Sequence, residues 1–370
     1  MIKFNTVFNL IIMIISLWGL MAAVFLSNME PLTNSARNIK IKILIISIIL
    51  FFLASGILLF EYFRFSNVNA IDKSLAVAGF FIISFAAAWI LFSLFIYIMQ
   101  DKLLFGPGSI RPERLSEIRT QQDIEEISIK MSDNTILHGW LVKQDNKEDK
   151  DKSPLVIIFA GQGGEISSHI KHARKIHGCS VALINYRGYG LSQGTPSETA
   201  FYNDAVEIFD YFSKHQDIHK EKIFALGGSL GTGVAVHLAA HRPLAGVILF
   251  SPYDKMAGGV IQDIIPFIPT SIIFKNSFNA LKDAPLVVGP VLSLITENDC
   301  VIRPKRSEKL IEIWGEKCIK IIMEGTDHYS IYDIDESWKY VNGFVSDILG
   351  DCSESLSYQS VPPAWIRFPE

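Results

Sequence analysis

The stretch Phe224-Ala-Leu-Gly-Gly-Ser-Leu-Gly-Thr-Gly233 decides the fold. Its core, Gly227, Gly228, Ser229, Leu230 and Gly231, fits Gly-x-Ser-x-Gly, after strand-like residues 222–226 and before helix-like residues 233–240. A serine placed this way sits on a sharp strand-to-helix turn. Small residues two positions either side let the backbone bend and lift its Oγ out of the sheet edge. The stretch therefore predicts a nucleophile at the carboxyl end of a strand, and the rest of the chain has to supply the sheet and the partner groups.

Outward from the elbow, residues 124–130 and 135–143 alternate like paired antiparallel strands around the turn at Ser132-Asp-Asn134. Charged residues 145–152 read as a solvated loop. A strand and helix rhythm follows, with strands at 154–160, 180–185, 222–226, 245–250, 291–296 and 318–323 and helices at 198–214 and 306–314. Continuous apolar runs such as Val156-Ile-Ile-Phe159 and Val247-Ile-Leu-Phe250 are those of strands covered on both faces. The prediction is an α/β domain with a mostly parallel central sheet, whose reactive groups sit in loops at the carboxyl ends of the strands.

A serine hydroxyl is a weak nucleophile at neutral pH and needs a base, which in turn needs an orienting carboxylate. Asp299 lies just beyond the 291–296 strand and His328 just beyond the 318–323 strand, giving the chain order Ser229, Asp299, His328. Glu297 is the second candidate for the acid. The other histidines, at 138, 169, 172, 177, 215, 219, 237 and 241, precede Asp299 or sit on elements that do not end beside the elbow. A developing oxyanion also needs donors. The N–H of Leu230, at the start of the helix after the elbow, is one, and the N–H of Gln162 in the Gly161-Gln-Gly-Gly164 loop is the other.

Three uncharged apolar stretches, 8–26, 43–60 and 75–99, each have about the 20 residues that cross a bilayer core. They predict a three-helix membrane anchor over residues 1–100, with Trp18 and Trp89 as packing or interface residues. Lys3 precedes the first stretch, but its apolar run is too long for a cleaved signal peptide and no clean cleavage site follows. None of the three carries an internal Asp, Glu, Lys, Arg or His, which argues against a transporter. Arg37, Lys40, Lys42, Lys102, Arg111 and Arg114 flank one side of the membrane, and Lys3, Arg64 and Lys73 the other. This places the C-terminal domain in the cytoplasm.

No metal and no cofactor is expected. Cys179, Cys300, Cys318 and Cys352 lack the spacing of a metal site or a disulfide framework, and the glycine-rich loop matches neither nucleotide-binding pattern. The net charge of −4, without basic clusters beyond the membrane flanks, gives no reason to expect nucleic acid.

Several motifs in order now amount to a family resemblance. They are Gln100-Asp-Lys-Leu-Leu-Phe-Gly-Pro107, Asn185-Tyr-Arg-Gly-Tyr-Gly-Leu-Ser-Gln-Gly194 with Pro196-Ser-Glu198, the elbow, Asp299-Cys-Val-Ile-Arg-Pro304 and Gly325-Thr-Asp-His328. Residues 100–349 resemble the α/β-hydrolase fold, and within it the membrane-anchored serine hydrolases with a short cap. The resemblance implies nucleophile Ser229, acid Asp299, base His328 and oxyanion amides from Gln162 and Leu230. Two positions depart from it: Ala160 stands where relatives often carry His, and Asn185 where they often carry Asp. Neither removes a reacting group, and the run from Arg187 to Gly194 reads as structural.

The expected organisation is an anchor over 1–100, a hydrolase domain over 101–350 with an apolar cap at about 252–284, and a tail over 351–370. The cap residues Ile265, Phe267 and Ile268 are candidates for contact with an acyl chain or the bilayer, or for packing on the sheet. The expected activity is hydrolysis of an acyl ester or thioester, with a lipid, acylated protein or other acyl compound as partner and the membrane as site. A peptidase, an acyltransferase or a non-catalytic scaffold remain as alternatives.

Overall fold

The computed structural model describes residues 56–57, 70–143 and 152–350. The expected span over 8–26, nearly all of that over 43–60, most of the 145–152 loop and the tail over 351–370 lie outside the described residues. The chain divides into two compact units, Met1–Gln100 with Gln262–Ile273, and Asp101–Ile261 with Phe274–Glu370.

In the first unit, helix α1 (Ala70–Leu104) covers the third expected span and continues past its expected end at residue 99. Its stretch Ile82–Leu104, with a mean hydropathy of 2.3, is the one helix among the described residues long and apolar enough to cross a membrane. Ile82, Ile83, Ile90 and Ile98 stand exposed along it. Trp89 is a packing residue: its Nε1 donates to the Phe267 carbonyl at 2.8 Å, and the Phe92 and Phe267 rings lie 5.9 Å apart. Gln262 closes the 262–273 segment on itself, donating to the Pro266 carbonyl at 2.9 Å while its Oε1 accepts from Thr270 Oγ1 at 2.9 Å. The expected cap over 252–284 is thus divided, with Gln262–Ile273 in this unit and its flanks in the other.

The second unit is an eight-stranded sheet: β1 (Ile124–Lys130), β2 (Ile136–Val142), β3 (Ser153–Phe159), β4 (Ser180–Ile184), β5 (Ile218–Gly228), β6 (Gly246–Phe250), β7 (Val291–Thr296) and β8 (Cys318–Met323). The strand order is β1-β2-β4-β3-β5-β6-β7-β8. β2 pairs antiparallel with both β1 and β4, and every later pairing is parallel. Burial follows position: β6 and β7 are buried at every residue, whereas the edge strand β8 alternates. This is how a sheet covered on both faces differs from its margin. Val156, Ile158, Phe224, Leu226, Ile248 and Phe250 belong to one fully packed core.

Helix α2 (Pro112–Arg119) precedes β1, and Pro112 fits its first turn because that position has no intrahelical N–H bond to lose. Helix α3 (Glu198–Phe212) starts where Ser197 Oγ accepts from Ala200 N at 3.1 Å. Helix α4 (Leu230–His241) follows the elbow; its small and apolar residues are buried nearly all round, as befits a helix packed inside the fold. Helix α5 (Pro304–Ile311) lies between β7 and β8, and α6 (Asp335–Leu349) ends on Gly350 in the left-handed region at φ 76°.

Parallel strands in register bring their carboxyl ends to one edge. Phe159 pairs with Gly227, Gly228 with Phe250, Phe250 with Leu294, and Thr296 with Met323. The loops after β3, β5, β7 and β8 therefore open on the same side of the sheet, where the expected reacting groups lie.

Candidate active site

Ser229 follows the last residue of β5 and precedes the first of α4, with φ 49° and ψ −119°. A non-glycine residue in this region costs about 1–3 kcal/mol and persists only when its surroundings hold it. They do so here: Ser229 N donates to the Phe250 carbonyl at 2.9 Å, and the Ser229 carbonyl accepts from Thr232 N at 2.9 Å and Thr232 Oγ1 at 2.7 Å. Gly231 is obligatory, because a Cβ there would run into the Phe159 and Ala160 carbonyls at the end of β3. The pattern read from sequence is thus a packing requirement: β3 and β5 leave no room for a side chain beside the turn.

The structure brings Ser229, His328 and Asp299 into one hydrogen-bonded row. His328 Nε2 lies 3.0 Å from Ser229 Oγ, and His328 Nδ1 lies 2.8 Å from Asp299 Oδ2. A carboxylate only accepts, so the imidazole carries its proton on Nδ1 and turns the Nε2 lone pair to the serine hydroxyl. His328 and Asp299 are buried and Ser229 is half-buried, so the row ends at solvent on its serine side.

Asp299 is held at both oxygens. Oδ1 accepts from Val301 N at 2.9 Å and Ile302 N at 2.7 Å, while Oδ2 accepts from Thr296 Oγ1 at 2.7 Å as well as from His328. Burial pushes its carboxyl up, but the His328 contact and the bonds from Thr296 and Ile302 outweigh it and hold Asp299 below the usual carboxylate range. Thr296 Oγ1 spends its proton on Asp299, so it accepts from Ser251 Oγ at 2.9 Å. Ser251 stands at φ 49°, just past β6. Sequence reasoning missed Thr296 and Ser251, since a polar residue at the end of a strand carries no distinguishing mark.

Glu297, the second candidate for the acid, is turned elsewhere: its Oε2 accepts from Gly325 N at 2.9 Å and steadies the loop that presents His328. On the other side of Ser229 lies the 161–164 loop. A Cβ at Gly161 would stand 3.2 Å from Ser229 Cβ, which places Gln162 one residue beyond the contact. Leu230 is the first residue of α4, with its N–H at the positive end of the helix. Ile265 and Ile268 are fully buried, and Phe267 is taken up by Phe92 and Trp89 in the unit built on α1.

The two departures from the resemblance are accommodated by the backbone. The Ala160 carbonyl accepts from Tyr186 Oη at 3.1 Å, and Asn185 Oδ1 accepts from Ile166 N at 2.9 Å. In the run after Asn185, Arg187 pairs with buried Asp204 at 2.7 Å, a structural contact that fixes the turn to α3.

A family model described as serine aminopeptidase, S33 matches residues 151–271. The chain is 28% identical over 240 residues to an uncharacterized protein of Mycobacterium tuberculosis, covering 64% of this chain and 82% of that one. It is 27% identical over 200 residues to the α/β hydrolase domain-containing protein WAV2 of Arabidopsis thaliana, covering 52% of this chain and 56% of that one. Among solved structures, an esterase of Pyrococcus furiosus superposes with a TM-score of 0.50 at 17% identity, covering 66% of this chain and 97% of that one. The chain has the α/β-hydrolase fold and is similar in sequence to a serine-peptidase family model and to an α/β hydrolase domain-containing protein.

Proposed function

We propose that the chain is a membrane-anchored serine hydrolase that cleaves an acyl ester or thioester, on a lipid or an acylated protein, through an acyl-enzyme on Ser229. The observation that carries this reading is the row from Ser229 Oγ through His328 to Asp299, at 3.0 and 2.8 Å. His328 takes the hydroxyl proton on Nε2 as Oγ attacks the acyl carbon, then gives it to the departing alkoxide or thiolate. Asp299 keeps the imidazole in the required tautomer and stabilises the imidazolium. The N–H groups of Leu230 and Gln162 receive the oxyanion. Water, deprotonated by the same imidazole, then releases the acid and restores Ser229.

The apolar stretch Ile82–Leu104 supports an anchor that would keep the site beside a bilayer, and the lysine and arginine pattern supports a cytoplasmic domain. The full chain in detergent or nanodiscs, offered p-nitrophenyl esters from acetyl to palmitoyl and the matching acyl thioesters, should hydrolyse them with a preference for long chains. Ser229→Ala should abolish the turnover. A preference for short soluble esters would count against a lipid substrate. The family description favours one second reading, a peptidase. Faster turnover of aminoacyl p-nitroanilides than of any ester would select it.

A further inference from the structure

The run Gln100-Asp-Lys-Leu-Leu-Phe-Gly-Pro107 has no part in the chemistry described above, yet it makes a specific set of bonds. Several of them, with those of the adjoining Gly108, fall on the loop that follows β3. The Gln162 side-chain amide donates to the Leu103 carbonyl. Gly163 N donates to the Phe105 carbonyl at 3.1 Å, and Gly108 N donates to the Gly164 carbonyl at 2.8 Å. Pro107 and Gly164 complete a parallel bridge. Each of the three residues after Gly161 is thus bonded to residues 103–108, while Gly161 itself rests against Ser229.

The segment that holds the loop is itself held. Phe105 is fully buried, with its ring 5.2 Å from Phe201 and 6.1 Å from Phe278. Its carbonyl also accepts from Tyr189 Oη, and the Gly108 carbonyl accepts from Gly190 N at 2.8 Å. A loop containing three glycines in four residues has little conformational preference of its own and loses much entropy on being fixed. Whatever geometry it has comes from its partners, and beyond Gly161 these include residues 103–108 at each of the three positions, with the Tyr189 hydroxyl also at Gly163.

We propose that residues 103–108 are the positioning element of the oxyanion hole, clamping the 161–164 loop so that the Gln162 N–H stays aimed at the oxygen of the reacting carbonyl. This rests on the hydrolase reading above, in which that N–H is a donor. An oxyanion donor acts only where it is preorganised, because a donor that must reorient at the transition state gives back its advantage. Gln162 then has two parts: its main-chain N–H faces the substrate, and its side chain ties the residue to Leu103.

Gly108 gives the sharpest test, since a Cβ there would stand 2.6 Å from the Gly164 carbonyl oxygen and 2.9 Å from Gly164 Cα. Gly108→Ala must push the loop off its support without touching Ser229, His328 or Asp299. Assayed on a p-nitrophenyl ester with the full chain in detergent, it should lose about 100-fold in kcat, the scale of one oxyanion donor, with KM changed less than about threefold. The Ki of a trifluoromethyl ketone should weaken in proportion to kcat/KM, while the thermal midpoint of the ligand-free protein stays within about 4 °C. A merely structural role would not move the inhibitor in step with the rate. Gln162→Ala, which keeps the N–H and loses the tie, should lose about tenfold in kcat, and Tyr189→Phe less.

Wild-type kcat and inhibitor affinity in Gly108→Ala would overturn the clamp while leaving the hydrolase reading intact. If Gly108→Ala fails to fold, Gln162→Ala decides by the same two measurements. A wild-type protein with no Ser229-dependent turnover on esters, thioesters or anilides would instead overturn the hydrolase reading and the clamp with it.

Discussion

Two histidines in this molecule hold Nδ1 on a carboxylate with nearly the same geometry, His328 on Asp299 at 2.8 Å and His237 on Asp283 at 2.7 Å. They differ in what faces the ring. His328 meets Ser229 Oγ at 3.0 Å through Nε2. The His237 ring lies flat on Tyr202, with centroids 4.0 Å apart and planes at 6°. His328 stands in a loop past β8, while His237 lies inside α4, where burial outweighs Asp283 and holds its imidazole below the ordinary value. Pairing a histidine with a carboxylate is therefore as much a packing device as a chemical one. What differs is that a strand end brings a serine hydroxyl to one ring, while the other is covered by a tyrosine.

The largest effect should break the comparison outright. His328→Gln is expected to lower kcat by about 10⁴- to 10⁶-fold with little change in the thermal midpoint, since it removes the base. His237→Gln should leave kcat within about threefold and lower the thermal midpoint, because it unpairs a buried carboxylate at a cost of about 1–3 kcal/mol. Steady-state kinetics beside a thermal melt separates the two. Equal losses of activity would make the distinction drawn here wrong.

The acids come next. Asp299→Asn keeps the shape of the row but lets an amide N–H face Nδ1, so the imidazole takes the unproductive tautomer and kcat should fall about 10⁴-fold. Asp283→Asn should cost stability alone, about 1–2 kcal/mol by denaturant unfolding. Activity lost in the second and kept in the first would reverse the assignment.

The smallest effect concerns two further histidines outside the row. Burial, with Lys171 close by, holds His169 and His172 down at about 4. His172 is stacked on Trp338 at 5.5 Å, with Asp333 at 3.7 Å and Lys175 nearby. The unfolded chain binds protons on these rings near pH 6.5 and the folded chain does not, so stability is full above that pH and falls as pH drops toward about 4. His172→Gln should flatten this part of the pH–stability curve by about 1 kcal/mol, half or less of what the full shift would give. An unchanged curve would show that the ring is exposed to protons in the folded state.

Much of this was legible in the sequence, and the illegible parts share a cause. The apolar runs in β3 and β6 and the Gly-x-Ser-x-Gly turn announced a parallel sheet with a serine at its edge, because they are local requirements of backbone and burial. Ser229, Asp299 and His328 could be named from chain order and strand ends. β5 proved longer than its apolar part, since residues 219–222 are polar and the strand's start pairs only through Ile218. The terminal helix α6 went unread because its buried face, with Trp338, Val341 and Phe344, is interrupted by polar residues. The hold on the 161–164 loop runs through main-chain carbonyls to residues such as Leu103, 59 positions from Gln162. Carbonyls are common to all residues, so this pairing leaves no pattern. The division of 252–284 between two units also follows from tertiary packing: Phe267 is apolar enough for either, and Phe92 with Trp89 decides it.

The central claim is that one hydroxyl, at a strained turn and hydrogen-bonded to one imidazole, is the nucleophile of this chain. Mapping a fluorophosphonate adduct by peptide mass spectrometry on the full-length protein in its native membrane tests it most directly. The account predicts a single adduct on Ser229, absent in Ser229→Ala and formed at least about 100-fold more slowly in His328→Gln. No adduct in the wild type, or an adduct on another residue, would contradict it.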